Sequence, residues 1–538
     1  MNQRSKAQAI IDGRYHLRDA ERLIRHGSIE AEEGGCGVTG FACSIPVSGR
    51  HIFEPSVQMH NRGNGKGGGL AAVGLTPDKL GVDQTILDED FLLQIALLDE
   101  SVLKEVEERF VKPYFRIDHE AFIETVDDYR DIPGLEVKPP AVKRYFVRVK
   151  PEPLAHFQKE RGLEMLSLDK VEEELIYQNT YQLNLALYSS LGEKRAFVLS
   201  HGRNMMILKI VGYAEQVAQY YKLENFDAHI WIAHQRYPTK GRVWHPGGAH
   251  PFIGLDEALV HNGDFANYYS VSEYLKQRNV YPLFLTDTEV SVQVFDLLNR
   301  VYGYPLEYII EALAPTGEMD FDYLPEKKQR IYRQIQAAHI HGSPDGPWFF
   351  IIARTIAHKK EFQLIGITDT AMLRPQVFAL QKGEVEIGLI CSEKQAIDAT
   401  LESLAKEDLR FGTVADKYWN ARGGSHTDGG AFIFTVKESP LGRMSLDCAD
   451  KFGRKIDVPR HQTPLNFREK TVPPTLDRSL VNELVTELAT GRIQESFARL
   501  KGDFFHWDYG KIEALLSELN LLADDKKLKG SVIELLTT

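Results

Sequence analysis

The chain has 538 residues, 43% of them hydrophobic, which is more than one ordinary core needs and predicts two or three packed units. Its 76 acidic against 64 basic residues leave a formal charge of −12, which argues against nucleic acid or an anionic membrane as the main partner and fits a small polar substrate or a protein. No stretch approaches the roughly 20 apolar residues of a membrane span, so a cytoplasmic protein is expected. The four cysteines, Cys36, Cys43, Cys391 and Cys448, form none of the close pairs used by zinc or iron–sulfur sites.

Residues 1–35 carry Arg14, Arg18, Arg22 and Arg25 at helical spacing ahead of Glu30, Glu32 and Glu33, and read as a short helix or a disordered leader, a candidate propeptide. Cys36 then opens a short apolar strand over 38–45. The bland reading of that thiol is a small buried hydrophobe, and Cys43, Cys391 and Cys448 keep it. The glycine-rich run at 62–69 is expected to be a flexible loop and not a phosphate cradle, because no Ser or Thr follows Lys66. Strand character returns over 69–75. Residues 80–228 alternate helical runs, at 88–110 and 170–191, with strands at 144–149 and 205–211, and predict an α+β elaboration of one domain. Strand, loop, strand and tight turn follow over 229–269, and a helix begins at 290. After a polar helix at 323–341 come strands at 347–354, 362–368, 377–380, 385–390 and 431–436. Many short strands flanked by helices predict layers of antiparallel sheet covered by helices. Beyond 438 a Pro-bearing linker leads to helical runs at 479–489 and 510–522.

Three separated segments hold the residue types that an amide-cleaving thiol enzyme needs. If the leader is removed, the α-amine of Cys36, with an ordinary pKa of about 7.7–8.0, is suited to act as general base, so one residue supplies both nucleophile and base. The second segment runs from His234 through Arg236, Tyr237 and Thr239 to His250 and on to His261-Asn262-Gly263. Arg236 at a strand end offers a bidentate fork to a carboxylate, and a tight Asn262-Gly263 turn aims an amide and a backbone N–H at a developing oxyanion. Each alone is as well explained by a surface arginine or an ordinary hairpin. In the third segment Asp287, at the start of a helix, is a candidate for receiving an α-ammonium or for capping the helix. The spacing of His234, His245, His250 and His261 matches no familiar zinc set, and no metal is expected.

The segments at 36–38, 234–239, 249–252, 261–263 and 287–289 resemble, in this order, the motifs of class II glutamine amidotransferases. Among these the chain looks most like the amidotransferase region of glutamate synthase, over roughly residues 36–437. The resemblance implies a four-layer αββα N-terminal-nucleophile hydrolase sandwich, here with an α+β insertion at about 80–228 and a linker with a helical extension over 438–538. It implies that Cys36 attacks the glutamine amide, that Asn262 and Gly263 form the oxyanion hole, that Arg236 and Asp287 hold the substrate carboxylate and ammonium, and that Tyr237, Thr239 and His250 support the pocket. Ammonia would pass to a synthase, most simply a split glutamate synthase whose FMN and iron–sulfur cluster sit on a partner chain, with no cofactor on this one. The run from Asp369 to Pro375 lacks the usual Arg-Asn-Gly, and the 62–69 loop departs from the glutamate synthase pattern. A catalytically silent subunit of the same fold and a free-standing glutaminase are the competing expectations.

Overall fold

A computed structural model describes residues 36–236, 245–439, 442–459 and 486–487. The leader, Tyr237, Thr239 and nearly all of the two C-terminal helical runs therefore lie outside the described residues. By its internal contacts the chain divides into one unit ending at Pro464 and another from Leu465 to Thr538. Everything that follows concerns the first.

In chain order its strands are β1 (Gly37–Ser48), β2 (Gly68–Leu75), β3 (Phe91–Leu97), β4 (Phe115–Phe122), β5 (Ala141–Val149), β6 (Ala196–Ser200), β7 (Met205–Ile210), β8 (Asp227–Gln235), β9 (Phe252–Ile253) and β10 (Glu257–Gly263). They continue as β11 (Trp348–Ile356), β12 (Glu361–Thr368), β13 (Val377–Lys382), β14 (Glu386–Cys391), β15 (Lys417–Trp419), β16 (Ala431–Glu438), β17 (Met444–Asp450) and β18 (Lys455–Ile456). The helices needed below are α1 (Phe53–Gln58), α2 (Leu168–Leu187), α3 (Ala214–Tyr220), α4 (Asp287–Asp296), α5 (Leu306–Leu313), α6 (Glu326–His339) and α7 (Lys394–Ala405).

Two seven-stranded sheets form the centre, ordered β15-β13-β14-β1-β8-β2-β7 and β18-β17-β16-β12-β11-β10-β9, and their strand pairings are antiparallel. Strands such as β1, β2 and β14 are apolar on both faces because both faces are covered, so they show no alternation. The sheets meet face to face where side chains are absent. A Cβ on Gly40 would lie 3.2 Å from Leu364 Cδ1 and 3.3 Å from Ile351 Cγ2, and one on Gly388 would lie 2.6 Å from Phe434 Cγ. Helices α1, α3 and α7 pack on the first sheet, and α4 packs on β9 and β10 of the second.

A third sheet, ordered β4-β5-β3-β6, carries its own core around Ile95, Tyr145 and Val147, closed by α2 residues Leu175 and Ile176. In sequence it falls between β2 and β7, which are direct neighbours in the first sheet, with Val73 opposite Met205.

Two expectations are corrected. The helix expected over 88–110 is interrupted, because Phe91–Leu97 is the central strand β3, buried at every position and paired on both sides. A run that is apolar all along carries no period to separate strand from buried helix. The boundary expected at 437 is also too early, since β17 and β18 extend the second sheet to Ile456.

Candidate active site

The register of β1 on β8 sets Gly37 opposite Gln235, so Cys36 and Arg236 leave the same end of the first sheet side by side. Both are buried, with 8% and 9% of their surface exposed. The glycine-rich loop is a cradle for Arg236: Arg236 N donates to Gly67 O at 3.0 Å, and Asn64 N donates to Arg236 O at 3.1 Å. A Cβ on Gly67 would stand 3.0 Å from Arg236 Cδ, which explains the missing side chain there. One on Gly69 would stand 3.0 Å from the His250 carbonyl carbon and closer still to its oxygen. Burial lowers the Arg236 guanidinium from its ordinary value, while the opposing charges of Cys36 and Asp287 raise it, so all three groups sit within electrostatic reach. An arginine stays cationic through such a shift.

Asn262 and Gly263 end β10. They do not form the tight turn expected from the dipeptide: pairing with β11 continues through Asn262–Phe349 and Gly263–Trp348. Gly263 has φ of 126°, a conformation L side chains rarely adopt, and a Cβ there would lie 2.8 Å from the Pro347 carbonyl carbon. The dipeptide is needed for this close approach of backbones at a strand end, not for reversal of the chain.

Alternation along β10 separates two functions. Asn262 faces the first sheet, where Nδ2 donates a long bond of 3.4 Å to Ser392 Oγ. Ser392 Oγ in turn accepts from Val38 N at 2.9 Å, and Ser392 N donates to Val38 O at 2.8 Å. One serine thus ties the Asn262 amide to the strand that begins with Cys36. His261 faces the other way, toward α4, with Nδ1 3.6 Å from Asp287 Oδ2.

Helix α4 starts at Asp287, but the cap is Thr286, whose hydroxyl accepts from Glu289 N at 3.1 Å. The Glu289 carboxylate closes the turn by accepting from Leu283, Phe284 and Leu285 N at 2.6, 2.8 and 3.0 Å. With capping done by its neighbours, Asp287 is released for another task, and its side chain is 24% exposed. Burial raises the Asp287 carboxyl, but the His261 ring and the N–H groups of Phe265 and Thr288 outweigh it and hold the group below the ordinary carboxylate range. Behind it, His261 N donates to His250 Nδ1 at 3.4 Å, and His250 Nε2 meets Thr288 Oγ1 at 2.6 Å. Burial keeps the His250 ring neutral, so its proton resides on Nε2 and is donated to Thr288, whose hydroxyl reaches Asp287 Oδ1 at 3.4 Å. His234 stacks on His250 with centroids 3.8 Å apart. His250 therefore lies behind the site and works on Asp287 through Thr288.

Of the expected site residues, Cys36, Arg236, Asn262, Gly263, His250 and Asp287 come together; Tyr237 and Thr239 are outside the described residues. No group of three His, Cys, Asp or Glu among the described residues is arranged to hold a metal. Burial pushes the other thiols up, Cys43 and Cys391 to about 12, so they are inert. Sequence reasoning missed Ser392, Thr288 and the cradle at Gly67 and Gly69. Only the glycines left a signal, as a run denser than a loop needs.

No protein-family model matches the chain. It is 30% identical over 379 residues to an uncharacterized protein of Archaeoglobus fulgidus, covering 70% of this chain and 89% of that one. It is 30% identical over 135 residues, 24% of its length, to the isomerizing glutamine–fructose-6-phosphate aminotransferase of Campylobacter jejuni, of which it spans 21%. A Methanothermobacter thermautotrophicus protein provisionally named a glutamine amidotransferase is 27% identical over 140 residues, 25% of this chain and 44% of that protein.

Proposed function

For a chain that belongs to one family with the Archaeoglobus fulgidus protein and is related to the glutamine amidotransferases, we propose hydrolysis of the glutamine side-chain amide at Cys36, with ammonia passed to a synthase partner. The observation that carries this reading is the placement of Arg236 and the low-pKa Asp287 around Cys36, with the Asn262 amide tied to the same strand. A buried cation and a half-buried anion flanking a thiol suit a zwitterion whose side chain ends in an amide.

With Cys36 as the first residue of the processed chain, its α-amine takes the thiol proton and the thiolate adds to the amide carbon. The resulting oxyanion is received by Asn262 Nδ2 and Gly263 N–H. The amine returns the proton to the leaving nitrogen, ammonia departs, and a thioester remains. Water, deprotonated by the same amine, cleaves the thioester and releases glutamate. Arg236 takes the substrate α-carboxylate and Asp287 its α-ammonium, while Thr288 and His250 fix the Asp287 carboxylate. Tyr237 and Thr239 are proposed to support glutamine binding.

Two face-to-face antiparallel sheets with helices on them support the N-terminal-nucleophile hydrolase arrangement. The acceptor half is proposed to be a separate synthase chain of the glutamate synthase kind, carrying FMN and an iron–sulfur cluster.

The test is the intact mass of the purified chain together with glutamine turnover of the native form and of Cys36→Ala. A chain beginning at Cys36 that turns over glutamine, with loss of turnover in the variant, supports the mechanism. Normal turnover in Cys36→Ala overturns it.

A further inference from the structure

The third sheet holds an arginine that no carboxylate neutralises among the described residues. Arg144, on β5, is 5% exposed, and only one of its three guanidinium nitrogens has a partner. Nη2 donates to Leu80 O at 2.9 Å, while Nε and Nη1 are buried without one. Burial is the one influence on the group and lowers it to about 10, at which an arginine is still cationic at neutral pH. Arg148, on the same face of the same strand, shows a paired arginine in this sheet. It meets Asp90 at 2.6 Å, Glu89 at 2.7 Å and Asp118 at 3.2 Å. A buried cation left without such a partner destabilises a fold, so Arg144 calls for a counter-charge from outside the chain.

The strands on either side of Arg144 add donors. Gln94 on β3 lies directly opposite it, which sets their Cβ atoms about 4.5–5.5 Å apart on one face. Gln94 is fully buried, and its Oε1 accepts from Ile207 N at 2.8 Å. That bond fixes the amide, so the end without a partner is the donor Nε2. On the other side Ala121 of β4 is opposite Arg144, and His119, two residues back on the same face, has a buried Nδ1 that also lacks a partner. The charge of Arg144 reaches His119, whose ring lies by the same turn that receives the guanidinium: a Cβ on Gly81 would meet His119 Nε2 at 3.5 Å. Glu120, which also acts on His119, is on the opposite face, 3.4 Å from Lys143. Leu92, Val142 and Phe146, which flank Gln94 and Arg144 on their own face, belong to the hydrophobic core. A water could accept from two of these N–H groups but would leave the charge uncompensated, and such apolar surroundings favour a small ion over an organic acid.

We propose that a monovalent inorganic anion of halide size binds against Arg144, between Gln94 and His119, and acts as the counter-charge where the third sheet meets β7 and the Leu80–Gly81 turn. His119 is partly exposed and marks the side from which the ion enters. The third sheet carries none of the candidate catalytic residues, so the site is independent of the glutamine mechanism.

The test is urea denaturation of the full chain in sodium chloride against sodium gluconate, whose anion is too large for the site, at equal ionic strength so that screening is constant. The native midpoint should climb by an equal step for each tenfold rise in chloride above the dissociation constant, as a ligand of the folded state alone requires. Gln94→Glu keeps an acceptor for Ile207 N and sets a carboxylate opposite Arg144. It should be at least as stable as the native chain in gluconate and should lose the response to chloride. Arg144→Met should lose the response as well, and if it folds poorly the Gln94→Glu comparison still decides. In crystals of the native chain grown with sodium bromide, an anomalous peak is expected within hydrogen-bond distance of the Arg144 guanidinium. A native midpoint that responds to chloride no more than that of Gln94→Glu overturns the proposal. So does a Gln94→Glu chain less stable than the native one in gluconate, or an ordered water at Arg144 where bromide is expected.

Discussion

Replacement of Gly263 by alanine tests the strand-end geometry and the proposed chemistry together. The added Cβ would lie 2.8 Å from the Pro347 carbonyl carbon and 3.0 Å from Trp348 Cα, both backbone atoms that cannot rotate aside. The residue also holds φ of 126°, which by itself costs an L residue on the order of 1–3 kcal/mol. Relief requires β10 and β11 to part at this end, with loss of the Asp264 N to Pro347 O bond of 3.0 Å. The remainder of the β10–β11 ladder, from Glu257–Arg354 to Asn262–Phe349, has no reason to open, so the damage should stay local. Loss of one oxyanion donor is worth about 10²–10³ in kcat, or about 2.7–4 kcal/mol. Gly263→Ala is therefore expected to remain folded by circular dichroism and to lose a few kcal/mol in urea denaturation. Its kcat for glutamine should fall at least 100-fold, with KM changed much less. A soluble variant with kcat within threefold of native would refute the assignment of the Gly263 N–H to the oxyanion.

Asp287→Asn removes the proposed acceptor of the α-ammonium and should raise KM for glutamine about 10- to 100-fold, since a charged hydrogen bond contributes about 1.5–3 kcal/mol; an unchanged KM would remove Asp287 from substrate binding. Because the Asp287 carboxyl is held below its ordinary value, native affinity should stay flat down through the usual carboxylate range and fall only under it, so a fall beginning above pH 5 would contradict the geometry. Lys209 on β7 is buried against the Phe252 ring at 4.0 Å, and burial lowers its ammonium from 10.5 to about 7. Between those values the unfolded chain binds a proton that the folded chain does not, so stability should rise with pH across that window by at most about 1.4 kcal/mol per unit. Urea midpoints at pH 7, 8 and 9 should show that slope in the native chain and not in Lys209→Met; equal slopes would mean Lys209 is charged in the fold. The fully buried Lys451–Glu311 pair joins the β17 end to α5, and Glu311 also accepts from Thr316 and Gln336 on α6. Lys451→Met should cost about 3–5 kcal/mol by leaving that carboxylate uncompensated, and a loss under 1 kcal/mol would show that Glu311 is neutral.

The site was legible in the sequence wherever chemistry requires a residue type at a strand end. Cys36 before an apolar strand, Arg236 after one and Asp287 at a helix start announce themselves locally, and the structure brings them together. What was hidden depends on register between distant strands. Ser392 matters because β14 pairs with β1, and nothing around it in sequence says so. The Asn262-Gly263 pair reads as a turn in the sequence because a turn dipeptide and a glycine forced by a neighbouring backbone look alike in one dimension. For the same reason β3 reads as helix in the sequence: its signal is burial from both sides, which only the third sheet supplies. The role of Asp287 as a cap was open until Thr286 and Glu289 were seen to satisfy the helix end without it.

The strand that begins at Cys36 is the first part of the described structure to be synthesised, yet it sits between β8 and β14, the latter about 350 residues downstream. At about 5–20 residues per second, translation leaves β1 without that partner for tens of seconds. During that interval its apolar faces are without their covering sheet, and the Val38–Ser392 clasp has not formed. The surroundings of Cys36 are thereby completed only when the second half of the chain has emerged: a nascent fragment ending before Cys391 has the thiol but not the Ser392 clasp beside it, and ribosome-bound intermediates should need protection from aggregation until then.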